Sequence, residues 1–165
     1  MKKIIVGFFA IAILISSKEV FASTWNGDSK DCRGLTIVNA TTQEGYGDPC
    51  WISTSVSFDA GDTVNVRVYY HNTGSQTARN TKVSLNAPVG SSSNTKTFSA
   101  SISSDQGDLY LGSVTAKLSS SQNITINSVK WYTNNTAVTR TNLLNGQSGS
   151  EILGDGLFIG DEYVS

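Results

Sequence analysis

The chain has 165 residues, with 12 basic and 13 acidic side chains and a formal net charge of −1, and only 15% of its residues are charged. Serine, threonine and asparagine supply 54 of the 165 residues, which argues against a helical bundle because these side chains compete with a helix for backbone hydrogen bonds. The balance of charge also excludes a strongly basic nucleic-acid-binding protein, since such a protein needs a positive footprint for phosphates.

Residues 1–22 are predicted to be a cleaved secretory signal peptide. A basic start, Lys2-Lys3, precedes the apolar run 4–15, and a Val-x-Ala end at Ala22 suits the signal peptidase. The apolar run has twelve residues, whereas a helix that crosses a membrane needs about 20. We therefore expect no membrane span after cleavage, and a mature chain, residues 23–165, that is secreted or held at the cell surface.

The two cysteines, Cys32 and Cys50, are predicted to form a disulfide. Export places them in an oxidising compartment, where an even pair of cysteines is usually bridged. A metal site would need His or carboxylate partners at ligand spacing, and none is present. The bridge would lie in an N-terminal segment, residues 23–60, which also carries the first strands of a single domain spanning residues 23–165.

Alternation of apolar and polar residues predicts the first three strands. The first covers residues 35–38, and the second covers residues 52–58 with Ile52, Thr54, Val56 and Phe58 on one side. A turn over residues 59–62 leads into the clearest alternation, residues 63–72. Its core side carries Val64, Val66, Val68 and Tyr70, and its outward side carries Asn65, Arg67, Tyr69 and His71.

Later strands follow at short intervals. Asn72 to Ser75 reads as a turn in which Gly74 supplies a positive φ angle, and the next strand, residues 82–87, stops at Pro88. Three further strands are expected: one with Phe98, Ala100 and Ile102 inward, one over residues 109–118 with a bulge at Gly112, and one over residues 124–131. Short strands separated by turns indicate an all-β, antiparallel sandwich or barrel.

The block Gly61 to Pro88 resembles the bacterial surface repeat known as domain of unknown function eleven. The shared pattern is a Gly-led alternating strand that ends in Asn-x-Gly, then Ala-x-Asn, then a second strand closed by a proline. The resemblance implies an immunoglobulin-like β-sandwich of cell-surface proteins without catalytic residues. The matching positions are Gly61, Val64, Val66, Val68, Tyr70, Asn72, Gly74, Ala78, Asn80 and Pro88.

Physical roles can be assigned to this motif without the family. Ala78 is small where the loop crosses the core, and the Asn80 side-chain amide can cap loop backbone groups. Family members commonly continue with another strand after the point where this chain reaches Gly160 to Ser165. An edge strand is therefore expected to be missing, which would leave an edge that pairs with a copy of the chain or with another surface protein.

Few side chains are candidates for a catalytic or metal-binding role. His71 is the only histidine and lies at a strand end beside a turn, so we expect a surface residue and no enzyme. Asp155, Asp161 and Glu162 form a loose carboxylate group that makes calcium the one cofactor to consider, although their spacing is not that of an EF-hand.

Aromatic residues offer a different kind of site. Tyr69 and Tyr110 are expected to face outward, where they could stack on sugars, whereas Trp51, beside Cys50, is expected to pack on the disulfide. The sequence therefore predicts a secreted structural or adhesive module that acts through strand edges and loops. The alternative is a carbohydrate-binding module that uses its exposed tyrosines.

Overall fold

The computed structural model describes residues 24–130 and 148–164, and this part of the chain is an all-β fold. The predicted signal peptide lies outside the described residues, as does Trp131 at the end of the last predicted strand. The strands are β1 (Leu35–Asn39), β2 (Ser55–Phe58), β3 (Val64–Val68), β4 (Ala78–Asn86), β5 (Ser93–Ser104), β6 (Gly107–Gln122) and β7 (Leu157–Glu162), with a short 3₁₀ helix at Ser150–Leu153.

The described strands form two sheets. One has five strands in the order β2-β6-β5-β4-β7, and the other pairs β1 with β3. The prediction of a wholly antiparallel arrangement is wrong for β2, which runs parallel to β6 with Val56 opposite Ala116. Strands β2 and β6 are distant in sequence, so no tight hairpin forces them to be antiparallel. The turn after β2, with Gly61 at φ 93°, leads into β3 of the other sheet.

Both sheets contribute to the main apolar core. Leu35 and Ile37 of β1 pack with Phe98 of β5 and Val114 of β6, and each is 3% exposed or less. The predicted inward residues of β3 pack partly buried against this cluster, which confirms the direction of their side chains. A second cluster fills the other end of the fold, where Tyr70 packs at its margin; its buried members are Trp25, Ala78, Val83, Ile102, Leu157 and Ile159.

The bulge predicted at Gly112 is present. Ser101 of β5 lies opposite Tyr110, whereas the neighbouring Ala100 lies opposite Gly112, so Leu111 is an extra residue in β6. Gly112 has φ 107°, a conformation that a residue with a Cβ atom rarely adopts. The extra residue restores the inward alternation of β6, as expected for a bulge.

The turn after β3 is stabilised by Asn72 and not by a left-handed glycine. Gly74 does not have a positive φ angle, so the predicted role of Gly74 is wrong. Its N–H donates to Asn72 Oδ1 at 3.1 Å, and the Asn72 amide donates to the carbonyl oxygens of Gln76 and Glu162, both at 2.8 Å. Asn72 is 2% exposed, and it joins the turn to the end of β7.

Asn80 has a conformational role that differs from the predicted amide cap. It adopts φ 53° within an irregular stretch of the β4–β7 ladder, between Ala78 and Thr81. Its backbone N–H donates to Asp161 Oδ1 at 3.1 Å. Asparagine tolerates the left-handed region better than most residues, which accounts for asparagine at this bulge. Ala78 is fully buried, as its small size predicts.

Two other expectations need correction. Ile52 lies outside β2 and is 71% exposed, because the strand begins only at Ser55. Residues 123–130 contain no strand, although Ile124 and Val129 still pack at the margins of the apolar clusters. Residues 157–162 form β7, which pairs with β4, and the expected lack of a further edge strand stays a prediction.

Candidate functional site

Polar and aromatic side chains with chemical potential gather on the outward face of β3. The Cys32–Cys50 disulfide is formed, with 5.4 Å between the Cα atoms, which confirms the pairing. It closes a loop that contains β1 and passes over the outward side of β3. Because of this cover, Asn65, Arg67 and Tyr69 are half-buried, whereas alternation alone predicts a solvated side.

Asp31, next to Cys32, binds two residues at the end of β3. Its Oδ1 accepts a hydrogen bond from the Tyr69 hydroxyl at 2.9 Å and lies 2.6 Å from His71 Nδ1. Its Oδ2 accepts the Asp28 N–H at 2.8 Å. Burial opposes ionisation of Asp31, but the hydrogen bonds from His71, Asp28 and Tyr69 outweigh it and lower the pKa of Asp31. The predicted surface histidine is therefore partly buried, with a side chain that is 26% exposed, and its ring nitrogen is hydrogen-bonded to Asp31.

Trp51, next to Cys50, makes the corresponding contacts on the middle of β3. The Arg67 guanidinium carbon lies 4.9 Å from the Trp51 ring centroid, within the range of a cation–π interaction. The Tyr46 ring meets Trp51 edge to face at 5.2 Å, and its hydroxyl accepts a hydrogen bond from Asn65 Nδ2 at 3.3 Å. Trp51 therefore packs on β3 through Arg67, and its expected packing on the disulfide stays a prediction.

The hydrogen-bonding capacity of the Arg67 guanidinium is only partly used in this position. Its Nε and Nη2 atoms are buried without a hydrogen-bond partner among the described residues, as is Oγ1 of Thr36, which lies opposite Arg67 on β1. Burial lowers the pKa of Arg67, and the neighbouring Tyr69 partly offsets this effect. The contact with Trp51 is thus the main compensation that the structure gives to this charge.

A small cavity lies beside the disulfide. It has a volume of about 360 Å³ and is lined by Lys30, Cys32, Pro49, Cys50 and Tyr69, at the small end of the usual range for ligand pockets. The Tyr69 hydroxyl is held by Asp31. The site as a whole is a clamp, defined here as Asp31, Tyr46, Trp51, Arg67, Tyr69 and His71, that fastens the disulfide loop to β3.

The two tyrosines predicted to contact a ligand differ in environment. Tyr69 belongs to the clamp and is half-buried. Tyr110 lies on β6, opposite Ser101 on the outward face of the large sheet, and is 64% exposed. Tyr69 follows β3 and Tyr110 lies on β6 of the other sheet, and of these two rings Tyr110 is the exposed one.

The carboxylates considered for calcium do not converge. Asp155 and Asp161 are exposed, and Asp161 accepts the N–H of Asn80. Within residues 24–130 and 148–164, no group of three or more Asp, Glu, His or Cys side chains is placed to hold a metal ion. The calcium hypothesis therefore gains no support from the geometry.

Asn39 is a structurally central residue that the sequence patterns do not single out. It is 1% exposed, and its amide donates to the Ser57 carbonyl at 2.9 Å and to Asp62 Oδ2 at 2.7 Å. Its Oδ1 accepts the N–H of Thr41 at 2.9 Å. The sequence signal that points to this role is an asparagine at the end of an apolar strand, because a polar group buried there must be hydrogen-bonded.

The clamp predicts a late-titrating tyrosine. Burial, the hydrogen bond to Asp31 and the charge of Asp31 raise the pKa of Tyr69 to about 12, from a usual value of 10.0. Because the folded-state pKa is raised, this contribution to stability is complete below pH 10 and is lost as the pH rises through about 12. Phenolate absorbance should therefore show a late ionisation phase near pH 12.

The control for this titration is the Tyr69→Phe variant, which should lack the late phase. If the late phase persists in Tyr69→Phe, another tyrosine is responsible and the Asp31–Tyr69 contact is not the cause.

Comparison of the chain with protein-family models, with curated proteins and with solved structures found no match in any of the three. The resemblance of Gly61–Pro88 to the surface-repeat family stays a prediction that depends on the residues quoted for it. In the two described stretches, no helix has both the length and the apolar character needed to span a bilayer.

Proposed function

We propose that this chain is a secreted or cell-surface structural and adhesive module, a non-catalytic immunoglobulin-like β-sandwich that acts through strand-edge and loop contacts. The Cys32–Cys50 disulfide supports export, because such bonds persist in oxidising compartments. The single observation that carries the adhesive role is the edge of β3 that faces away from β1, since β1 is its only strand neighbour among residues 24–130 and 148–164.

The hydrogen-bond pattern identifies which groups point to that edge. Tyr69 N–H donates to the Gly34 carbonyl, and Ala40 N–H donates to the Thr63 carbonyl, both at 2.9 Å. Bonding alternates along an antiparallel pair, so the odd-numbered residues of β3 bond to β1. The N–H and C=O groups of Val64, Val66 and Val68 therefore point away from β1, in the arrangement that an added strand recognises.

The edge of β2 provides a contrast. The Ser57 N–H donates to Glu44 Oε2 at 3.4 Å, and the Ser57 carbonyl accepts the Asn39 amide at 2.9 Å. Side chains thus occupy the backbone groups at which another strand would begin to pair. Blocking of one edge by side chains is a common protection against association, and it makes the edge of β3 the better contact surface.

The test uses alternate backbone amides of a single strand and takes a second copy of the chain as the partner. Hydrogen exchange is measured by NMR over a range of protein concentrations, with the oligomeric state measured by light scattering. The amides of Asn65 and Arg67, which bond to β1, should be protected throughout. Those of Val64, Val66 and Val68 should become protected only as the protein associates.

The odd-numbered amides are an internal control for folding, because they report the intact β1–β3 ladder at every concentration. A monomer at all concentrations, with Val64, Val66 and Val68 already protected, would mean that the edge is covered within the molecule. A monomer with these amides unprotected at all concentrations would mean that no copy pairs there. Either result overturns the edge as a self-association surface.

Carbohydrate binding is the second candidate, and the exposure of Tyr110 favours it. An aromatic ring that is 64% exposed near the turn between β5 and β6 is a suitable platform for the apolar face of a sugar. The clamp makes Tyr69 unsuitable, because the Tyr69 hydroxyl is bonded to Asp31.

A further inference from the structure

The outward face of β5 and β6 presents an ordered set of hydroxyl groups. The register places Thr97 opposite Thr115, Ser99 opposite Ser113 and Ser101 opposite Tyr110. The inward-facing neighbours on the same strands are core residues such as Phe98 and Ala100, so these three pairs share the outward side of the sheet. One member of each pair is exposed and the other is half-buried. We call these six residues the hydroxyl face.

The hydroxyl face is uncharged, and the nearest outward charges on β5 and β6 lie beyond its two ends. The next outward pair past Thr97 joins Thr95 to Lys117, and the next pair past Ser101 joins Ser103 to Asp108. Same-face residues are about 6.8 Å apart along a strand, and strands are about 4.8 Å apart. The three rows therefore span about 14 Å of neutral surface, extended across the sheet by Ser84 on β4 and Ser55 on β2.

The side chains of the hydroxyl face are not used by the fold. In the stretches that the structure describes, none of the six makes a side-chain hydrogen bond, ion pair or ring contact with another protein group. Other hydroxyls of the described residues do bond within the protein, as in the Thr81 hydroxyl, which donates to the Ala78 carbonyl at 3.0 Å. The hydroxyl face therefore keeps its donors and acceptors for solvent or for a ligand.

From these observations we infer that the hydroxyl face is the binding site for a neutral polysaccharide, an inference that rests on the carbohydrate-binding candidate above. Each hydroxyl both donates and accepts, as do the hydroxyls of a sugar. Tyr110 supplies a ring for stacking at one end of the face. An anionic polymer would find no cation in the three rows, and a second sheet would bury little apolar surface against them.

The experiment compares two double variants of the full chain whose new side chains, valine and threonine, have nearly the same shape. Ser99→Val with Ser101→Val removes two hydroxyls, whereas Ser99→Thr with Ser101→Thr keeps them, and both double variants carry β-branched residues that suit a strand. Binding is measured by affinity electrophoresis in glucan, mannan, xylan and galactan, with alginate as the charged comparator. Tyr110→Ala tests the ring.

We expect at least one neutral polysaccharide to bind and alginate not to bind. The valine double variant and Tyr110→Ala should each weaken binding by about tenfold, while the threonine double variant should bind like the original chain. If the chain binds a neutral polysaccharide but the valine variant and Tyr110→Ala are unaffected, carbohydrate binding stands and the hydroxyl face is the wrong site. If no neutral polysaccharide binds, the carbohydrate-binding candidate and the hydroxyl face as its binding site are both overturned.

Discussion

Replacing Asn72 with alanine is expected to lower the free energy of unfolding by about 3 kcal/mol. The change deletes the amide that donates to the Gln76 and Glu162 carbonyls and the oxygen that accepts the Gly74 N–H. Because Asn72 is 2% exposed, water cannot readily replace the lost partners, and each buried group left without one costs about 1–3 kcal/mol. Urea denaturation followed by tryptophan fluorescence measures the difference.

The matched control is Asn127→Ala, which truncates an asparagine at an exposed position. It should change the free energy of unfolding by less than about 0.5 kcal/mol. If Asn72→Ala also lowers the free energy of unfolding by less than about 0.5 kcal/mol, the turn after β3 and the end of β7 are held together by other contacts.

Removing the disulfide by the double change Cys32→Ala and Cys50→Ala is also expected to cost about 3 kcal/mol on the chain-entropy model, since the two cysteines are 18 residues apart. The residues next to the bond, Asp31 and Trp51, make the contacts of the clamp with β3. The loosened loop should therefore also return the pKa of Tyr69 toward its usual value. Denaturation and phenolate titration measure the two effects.

A reductant provides the control for the double variant. It should destabilise the original chain by a comparable amount and leave the double variant unchanged. If the double variant loses stability while the late tyrosine phase persists, the Asp31–Tyr69 contact does not depend on the disulfide. If stability is unaffected, the loop is already held by the clamp and by β1.

The strands with strict alternation could be predicted from the sequence because their patterns depend on one local rule, the two-residue period of a β-strand. Phe98, Ala100 and Ile102 are buried as that rule predicts, and the bulge at Gly112 follows from the shift in alternation. The rule assumes a solvated second face. It therefore does not anticipate the cover over Arg67 and Tyr69, which a distant loop supplies.

The remaining differences come from partners that are far away in the chain. Asn72 lies in a stretch that reads as a glycine turn, and only the position of Glu162 shows why its amide is buried. The parallel pairing of β2 likewise depends on where β6 lies. Cys32 and Cys50 could be paired in advance because the chain has only two cysteines, but the contacts of Asp31 and Trp51 beside them could not.

The long separation between Asn72 and Glu162 bears on the order in which the molecule can assemble. The donor and the acceptor of this bond are 90 positions apart in the chain, and β2 must similarly wait for β6. Folding slows as native contacts become less local. A chain that emerges amino end first would hold Asn72 without this acceptor until β7 emerges, so the domain is expected to complete its folding only after β7 is free.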